Sequence, residues 1–261
     1  MTRAILATLS IAAGAAWAQT TLTPPLVGFM RDSLDSVHPV FGLAGNFLVG
    51  NPVASGIVSA AFSGSYGLLK TANAVVVIDR TAAVVASSDA SDGPALFALA
   101  RTGEPALAYL PGPGALLAWK ARTFQAIAFD PVALAAKAVL SIAEPDSDHA
   151  ALIVQRDDGL WDVRILLATG EIDSQTAIRG LGAPALMLAT GELMYSDANG
   201  IVIRDADGSE RHIAAQLPDS FSLEQMGDGW VQLQDPAGGQ QFAVCIGLHR
   251  EQIYQLPEVS Q

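Results

Sequence analysis

Between Gly182 and Pro218 the chain reads GAPALMLATGELMYSDANGIVIRDADGSERHIAAQLP, and its short apolar runs are cut at even intervals by Thr190-Gly191, Asp197 to Gly200 and Asp205 to Gly208. Asx and Gly residues accept the positive φ that tight hairpins require, so each breaker predicts a turn. The segments between them are too short for helices and fit four antiparallel strands: Ala185 to Ala189, Glu192 to Ser196, Ile201 to Arg204 and Glu210 to Ala214. One such sheet, apolar on both faces, cannot stand alone in water. It must be flanked by further copies of itself.

Those copies are present. One unit predicts strands at Val58 to Phe62, Tyr66 to Thr71, Ala74 to Ile78 and Ala82 to Ser87; the next at Leu96 to Ala100, Ala106 to Leu110, Ala115 to Lys120 and Phe124 to Ala128. A third spans Val139 to Ile178 and holds the chain's strongest hairpin signal, Asp157-Asp158-Gly159. The last runs through Phe221 to Met226, Trp230 to Gln234, Gln241 to Ile246 and Gln252 to Leu256. At the other end, Gly28 to Val40 aligns with Gly200 to Ile213 and predicts two strands of a blade that lacks its first half, followed by a Gly-rich connector over Leu43 to Val53.

Five four-stranded units and an N-terminal hairpin predict an all-β propeller of four-stranded antiparallel blades, five or six in number according to how the hairpin closes the ring. Because the chain ends on a strand, closure by terminal strands is one route. Ala-rich Pro131 to Leu140 predicts a short helix between blades. A helical protein is excluded: 24 Gly and 14 Pro leave no amphipathic window of useful length.

The segment Val58 to Asp79, VSAAFSGSYGLLKTANAVVVID, resembles a blade of the bacterial WD40-like and YVTN-type propeller repeats, with Ser63-Gly64-Ser65-Tyr66 at the place of the family's small-residue turn. The whole arrangement is similar to secreted bacterial propellers of unassigned function. It departs from eukaryotic WD repeats, because the sole Trp-Asp pair, Trp161-Asp162, falls inside a strand with no Gly-His before it. The resemblance implies a fold and brings no catalytic residue with it.

Arg3, the apolar run Ala4 to Ala16 and the small-x-small triplet Ala16-Trp17-Ala18 read as a signal peptide over residues 1–18, then a linker over 19–27 and a single propeller domain over 28–261. The expected location is secreted or periplasmic. The apolar run is too short and too interrupted to span a bilayer, and no later segment is long enough. Loss of Arg3 leaves 13 basic against 26 acidic residues, which argues against nucleic acid and anionic membranes as partners. A monomer that binds a protein, peptide or glycan is the expectation.

Reaction chemistry has few footholds. His38, His149, His212 and His249 are scattered, without the spacing of metal ligands, and Cys245 stands alone in an apolar run as a small buried hydrophobe. Carboxylates collect at Asp89/Asp92, Asp146/Asp148, Asp157/Asp158, Asp197 and Asp205/Asp207, where hairpin turns account for them. Calcium bound at these turns is the one cofactor they suggest, although the distal Glu of a calcium loop is missing. There is no nucleophile elbow, P-loop or GxGxxG, so no catalytic or cofactor-binding residue is assigned and any metal site is left open. Trp119, Trp161 and Trp230 sit in predicted strands and read as core. The alternative is a hydrolase or lactonase-like propeller using a metal or carboxylate pair in the central channel, supported only by the acidic turns and His38, His149 or His212.

Overall fold

The computed structural model describes residues 24–178, 184–235, 239–247 and 249–258; the signal peptide expected over 1–18 lies outside them. Apolar segments bounded by turn residues form strands throughout, grouped into six sheets. Blade 1 holds β1 (Leu26–Arg31), β2 (Val37–Leu43) and β3 (Asn46–Val49). Blade 2 holds β4 (Ser59–Phe62), β5 (Tyr66–Lys70), β6 (Ala74–Asp79) and β7 (Val84–Asp89). Blade 3 holds β8 (Leu96–Leu99), β9 (Pro105–Leu110), β10 (Ala115–Lys120) and β11 (Thr123–Ala126). Blade 4 holds β12 (Ala138–Asp146), β13 (His149–Arg156), β14 (Gly159–Leu166) and β15 (Ile172–Ile178). Blade 5 holds β16 (Ala185–Met187), β17 (Leu193–Asp197), β18 (Gly200–Arg204) and β19 (Glu210–Ala214). Blade 6 holds β20 (Ser222–Gly227), β21 (Trp230–Gln234), β22 (Gln241–Cys245) and β23 (Gln252–Gln255). Every blade is an antiparallel meander, so the chain is a six-bladed β-propeller.

Each seam between neighbouring sheets has its own apolar core, which is why no blade stands alone. Leu107 and Leu116 of blade 3 meet Ile142, Leu152 and Val163 of blade 4. Ile201 and Ile203 of blade 5 meet Val231, Leu233 and Val244 of blade 6. Hydroxyls staple the ring as well: Ser59 Oγ accepts the Ala95 N–H at 2.9 Å, Ser141 Oγ accepts the Met187 N–H at 2.8 Å, and Ser63 Oγ donates to Gly103 O at 2.6 Å. The tryptophans fill seams. Trp230 stands edge-on to Phe47 at 5.6 Å, Trp119 lies 5.0 Å from Phe124, and Trp161 lies beneath the Arg156 guanidinium.

Blade 1 departs from the expectation. Only one strand is missing from it, because Asn46–Val49, within the stretch read as a connector, pairs with β2 through Phe41↔Leu48 and Gly42↔Phe47. Phe47 is buried in the seam with blade 6, which holds the short strand in place. The missing strand is the innermost. The inner strands touch in the order β4, β8, β12, β16, β20 and back to β4, while β1 packs behind β20 and β4. Gly28 lies against Met226 and Gly227, and Arg31 reaches Glu224, so β1 runs opposite to β20. That is the direction of a second strand in a regular blade.

The inner edge of β1 is closed by a side chain. The Arg31 N–H donates to Gln232 Oε1 at 3.0 Å, and Gln232 Nε2 donates back to Arg31 O at 2.6 Å and to Gln241 Oε1 at 2.7 Å. The buried Gln232 carboxamide thus stands in for one peptide group of the absent strand, as a buried backbone edge requires.

Closure by terminal strands does not occur among the described residues: no strand from one end of the chain enters the sheet of the other. Blades 1, 2 and 6 are held by packing and by the Gly64 N–H, which donates to Asp228 Oδ1 at 2.9 Å across blade 1. The Ala-rich segment gives only a 3-10 turn at Pro131–Leu134, capped by Asp130 and ended by Ala135 in the left-handed region. The residues beyond it are drawn into pairing with β13, which outweighs alanine's helix preference.

Candidate binding channel

Since the five inner strands all start on the same side of the ring, their first halves frame one mouth. A cavity of about 870 Å³ opens there, walled by Val58–Ala61, Pro94–Leu99, Leu140–Ala143, Pro184–Met187 and Ser220–Gln225, with the b–c turn of blade 5 and the linker after it at the rim. No residue of β1 reaches the wall. A smaller cavity of about 590 Å³ opens at the other end, and Ala189 and Gln225 belong to both walls.

The wide mouth is aliphatic with hydroxyls, amides and three carboxylates, Asp197, Asp219 and Glu224; among the described residues its wall contains no Lys, Arg, His or Cys and no Trp or Tyr. Of the three, Glu224 has a shifted carboxyl. Burial pushes its carboxyl above the ordinary range, and Arg31 opposes this without cancelling it. Arg31 Nη2 donates to Glu224 Oε1 at 2.7 Å, and Arg31 Nη1 donates to the exposed Asp35 at 2.9 Å. Burial would lower the Arg31 guanidinium, but the hydrogen bonds and charge of Glu224 hold it above its usual value.

At the narrow mouth, Arg211 ties blade 5 to blade 6. It donates to Asp205 at 3.0 Å, to Glu251 at 2.7 Å, to Glu192 and to Ile246 O. The hydrogen bond from Arg211 holds the carboxyls of Asp205 and Glu251 below the usual range. The described wall there holds Glu192, Asp205 and Asp228 against Arg101 and Arg211, so both mouths are acidic on balance.

The residues singled out in the sequence do not gather at the channel. His38 is buried in blade 1, its Nε2 3.0 Å from Asp32 Oδ2 and its Nδ1 2.9 Å from Gly50 O. His149 stands on the rim beside Asp146, His212 is half exposed on β19, and His249 lies in the last c–d turn; none lines either cavity. The acidic turns use their oxygens internally. Asp197 Oδ1 accepts the N–H groups of Asn199 and Gly200, Asp207 Oδ1 that of Ser209, and Asp146 Oδ1 those of Asp148 and His149. Among the described residues, no three His, Cys, Asp or Glu side chains are grouped to hold an ion. Cys245 is buried and free. Sequence reasoning missed Arg31 and Glu224, which are far apart in the chain and belong to no motif.

No protein-family model matches the chain, and comparison with curated proteins gives no match. Its shape is similar to solved structures. A protein of unknown function from Bacteroides caccae superposes with a TM-score of 0.53 at 12% identity, over 90% of this chain and 100% of that one. TolB from Acinetobacter baumannii gives 0.52 at 11% identity over 89% of this chain, which spans 66% of TolB. A chain of a nidogen/laminin complex gives 0.52 at 10% identity, over 88% and 97%. At such identities the likeness is one of fold. The β-propeller fold expected from the sequence is therefore present, and among the described residues no helix is long and apolar enough to cross a membrane.

Proposed function

We propose that the protein is an exported, non-catalytic binding module whose ligand is a protein or peptide segment held at the wide mouth of the channel. The observation that carries this reading is the character of that wall: aliphatic, hydroxyl-bearing and acidic, with no basic side chain among the described residues to activate its serines. Such a surface suits an extended polypeptide that brings apolar side chains and a positive charge. A glycan is less well matched, because among the described residues Phe97 and Phe221 are the only aromatics in the wall and sugar sites favour stacked aromatics. Export rests on the leader-like residues 1–18.

The test is a titration of the exported chain, its N-terminus first checked for Gln19, with labelled peptides of basic, neutral and acidic composition. Basic apolar peptides should bind most tightly and weaken with salt. Asp219→Lys combined with Ser222→Lys should reduce that affinity at least about tenfold. Equal binding of acidic and basic peptides, or an indifferent double variant, would remove the channel from the account.

A further inference from the structure

The exposed large apolar side chains are concentrated on one blade. Leu26, Leu34, Leu43, Leu48 and Val53 belong to blade 1 or the segment leaving it, and at 58% and 71% exposure Leu48 and Leu43 are open to solvent. Strand register makes three residues a row: Leu26 is opposite Phe41, and Phe41 is opposite Leu48, so the three side chains share one face of the sheet. Val84 stands opposite Ile78, which packs in the seam between blades 1 and 2, so Val84 looks toward the same wedge.

Charge sharpens this. From Ser36 to Leu69 the sequence has no Asp, Glu, Lys or Arg, in a chain of net charge −12. The outermost strands of the other blades carry polar or charged guards, such as Asp89 on β7, Asp173 on β15 and Glu210 on β19. Edges are usually protected in that way against pairing with another chain. β3, the outer edge of blade 1, carries Asn46, Phe47, Leu48 and Val49.

We propose that blade 1 is a self-association surface, on which a second copy of this chain docks through a two-fold contact pairing the β3 edges antiparallel and bringing two Leu26–Phe41–Leu48 rows together. Two copies of so acidic a chain repel each other over most of their surface, and this uncharged patch is where they approach without that penalty. An antiparallel edge is its own complement under a two-fold axis. A basic partner would instead be drawn to the carboxylates at the channel mouths. The contact replaces the monomer expected from the sequence, and it does not depend on what the channel binds.

Sedimentation velocity of the mature chain over roughly 1 to 100 µM tests it. The wild type should pass from monomer to dimer within that range. Leu48→Lys, at an exposed position that leaves folding intact, should weaken the dimer at least about tenfold. Val132→Lys, at an exposed apolar residue away from blade 1, should leave it unchanged. A wild type that stays monomeric throughout, or a Leu48→Lys chain that dimerises as well as the wild type, would overturn the proposal.

Discussion

Gly28→Ala is expected to destabilise the fold by about 3 kcal/mol or more and to lower Tm by roughly 10 °C. A Cβ on Gly28 would sit 1.8 Å from Met226 O, and one on Gly227 would sit 2.4 Å from Val27 O. Both obstacles are backbone, so no rotamer change relieves them. β1 and β20 lie this close because the inner strand that would separate them is absent, and the loss should be felt by the whole ring. Gly112→Ala is the control: its Cβ meets nothing nearer than 3.8 Å, so it should melt like the wild type. Thermal and urea melts decide the matter, and a Gly28→Ala chain within about 1 kcal/mol of the wild type would mean that the two strands are not in backbone contact.

Arg31→Met should be nearly as damaging at neutral pH, by about 2–3 kcal/mol, because it leaves a largely buried carboxylate at the channel wall without its cation. The pair with Asp35 adds little, since that carboxylate is half exposed. The pH dependence has a definite sign. Burial raises the Glu224 carboxyl above its unfolded value, so the folded chain holds this proton more tightly than the unfolded chain does. The contribution of Glu224 to stability is therefore fully present below the ordinary carboxyl range and is lost as pH rises through the raised value. Removing Arg31 removes the opposing charge and widens that window, so the variant should recover much of its lost stability in mild acid. Arg31→Met combined with Glu224→Met should recover most of it at pH 7, as buried ion pairs replaced by apolar groups commonly do. Melts of the single and double variants from about pH 4 to pH 8 measure this, and a pH-independent deficit would show that Glu224 is not the stranded group.

Much of the ring was legible because its signals are local. In blades 2, 3, 5 and 6 the breakers at Asn73, Thr102-Gly103, Asp197 and Gly227-Asp228-Gly229 place strand ends to within a residue or two of those found. Blade 1 was less legible, since which of its strands is missing depends on β20, nearly two hundred residues away. Nothing near Gly28 announces that its backbone touches Met226. β3 was concealed by the glycines around it, and its local sign was Phe47 alternating with solvent-facing neighbours. The channel wall follows from the first strand of each repeat once the ring is known, but the Arg31–Glu224 pair has no motif. Where the histidines lie was not legible, because type and spacing say nothing about which side of a sheet a residue faces: His38, opposite Met30, is buried in blade 1.

The most direct test of the central claim is a disulfide between Gly64→Cys and Asp228→Cys, which joins the a–b turns of blades 2 and 6. A Cβ at position 64 would lie 3.2 Å from the Asp228 carboxyl carbon, so the two turns are close enough for cysteines to link. If only five strands form the inner ring and blade 1 sits behind them, mild oxidation should close the bond within the monomer, visible as a mobility shift lost on reduction. If blade 1 instead supplied a sixth inner strand, it would hold those turns a blade's width apart, and the two thiols would stay free.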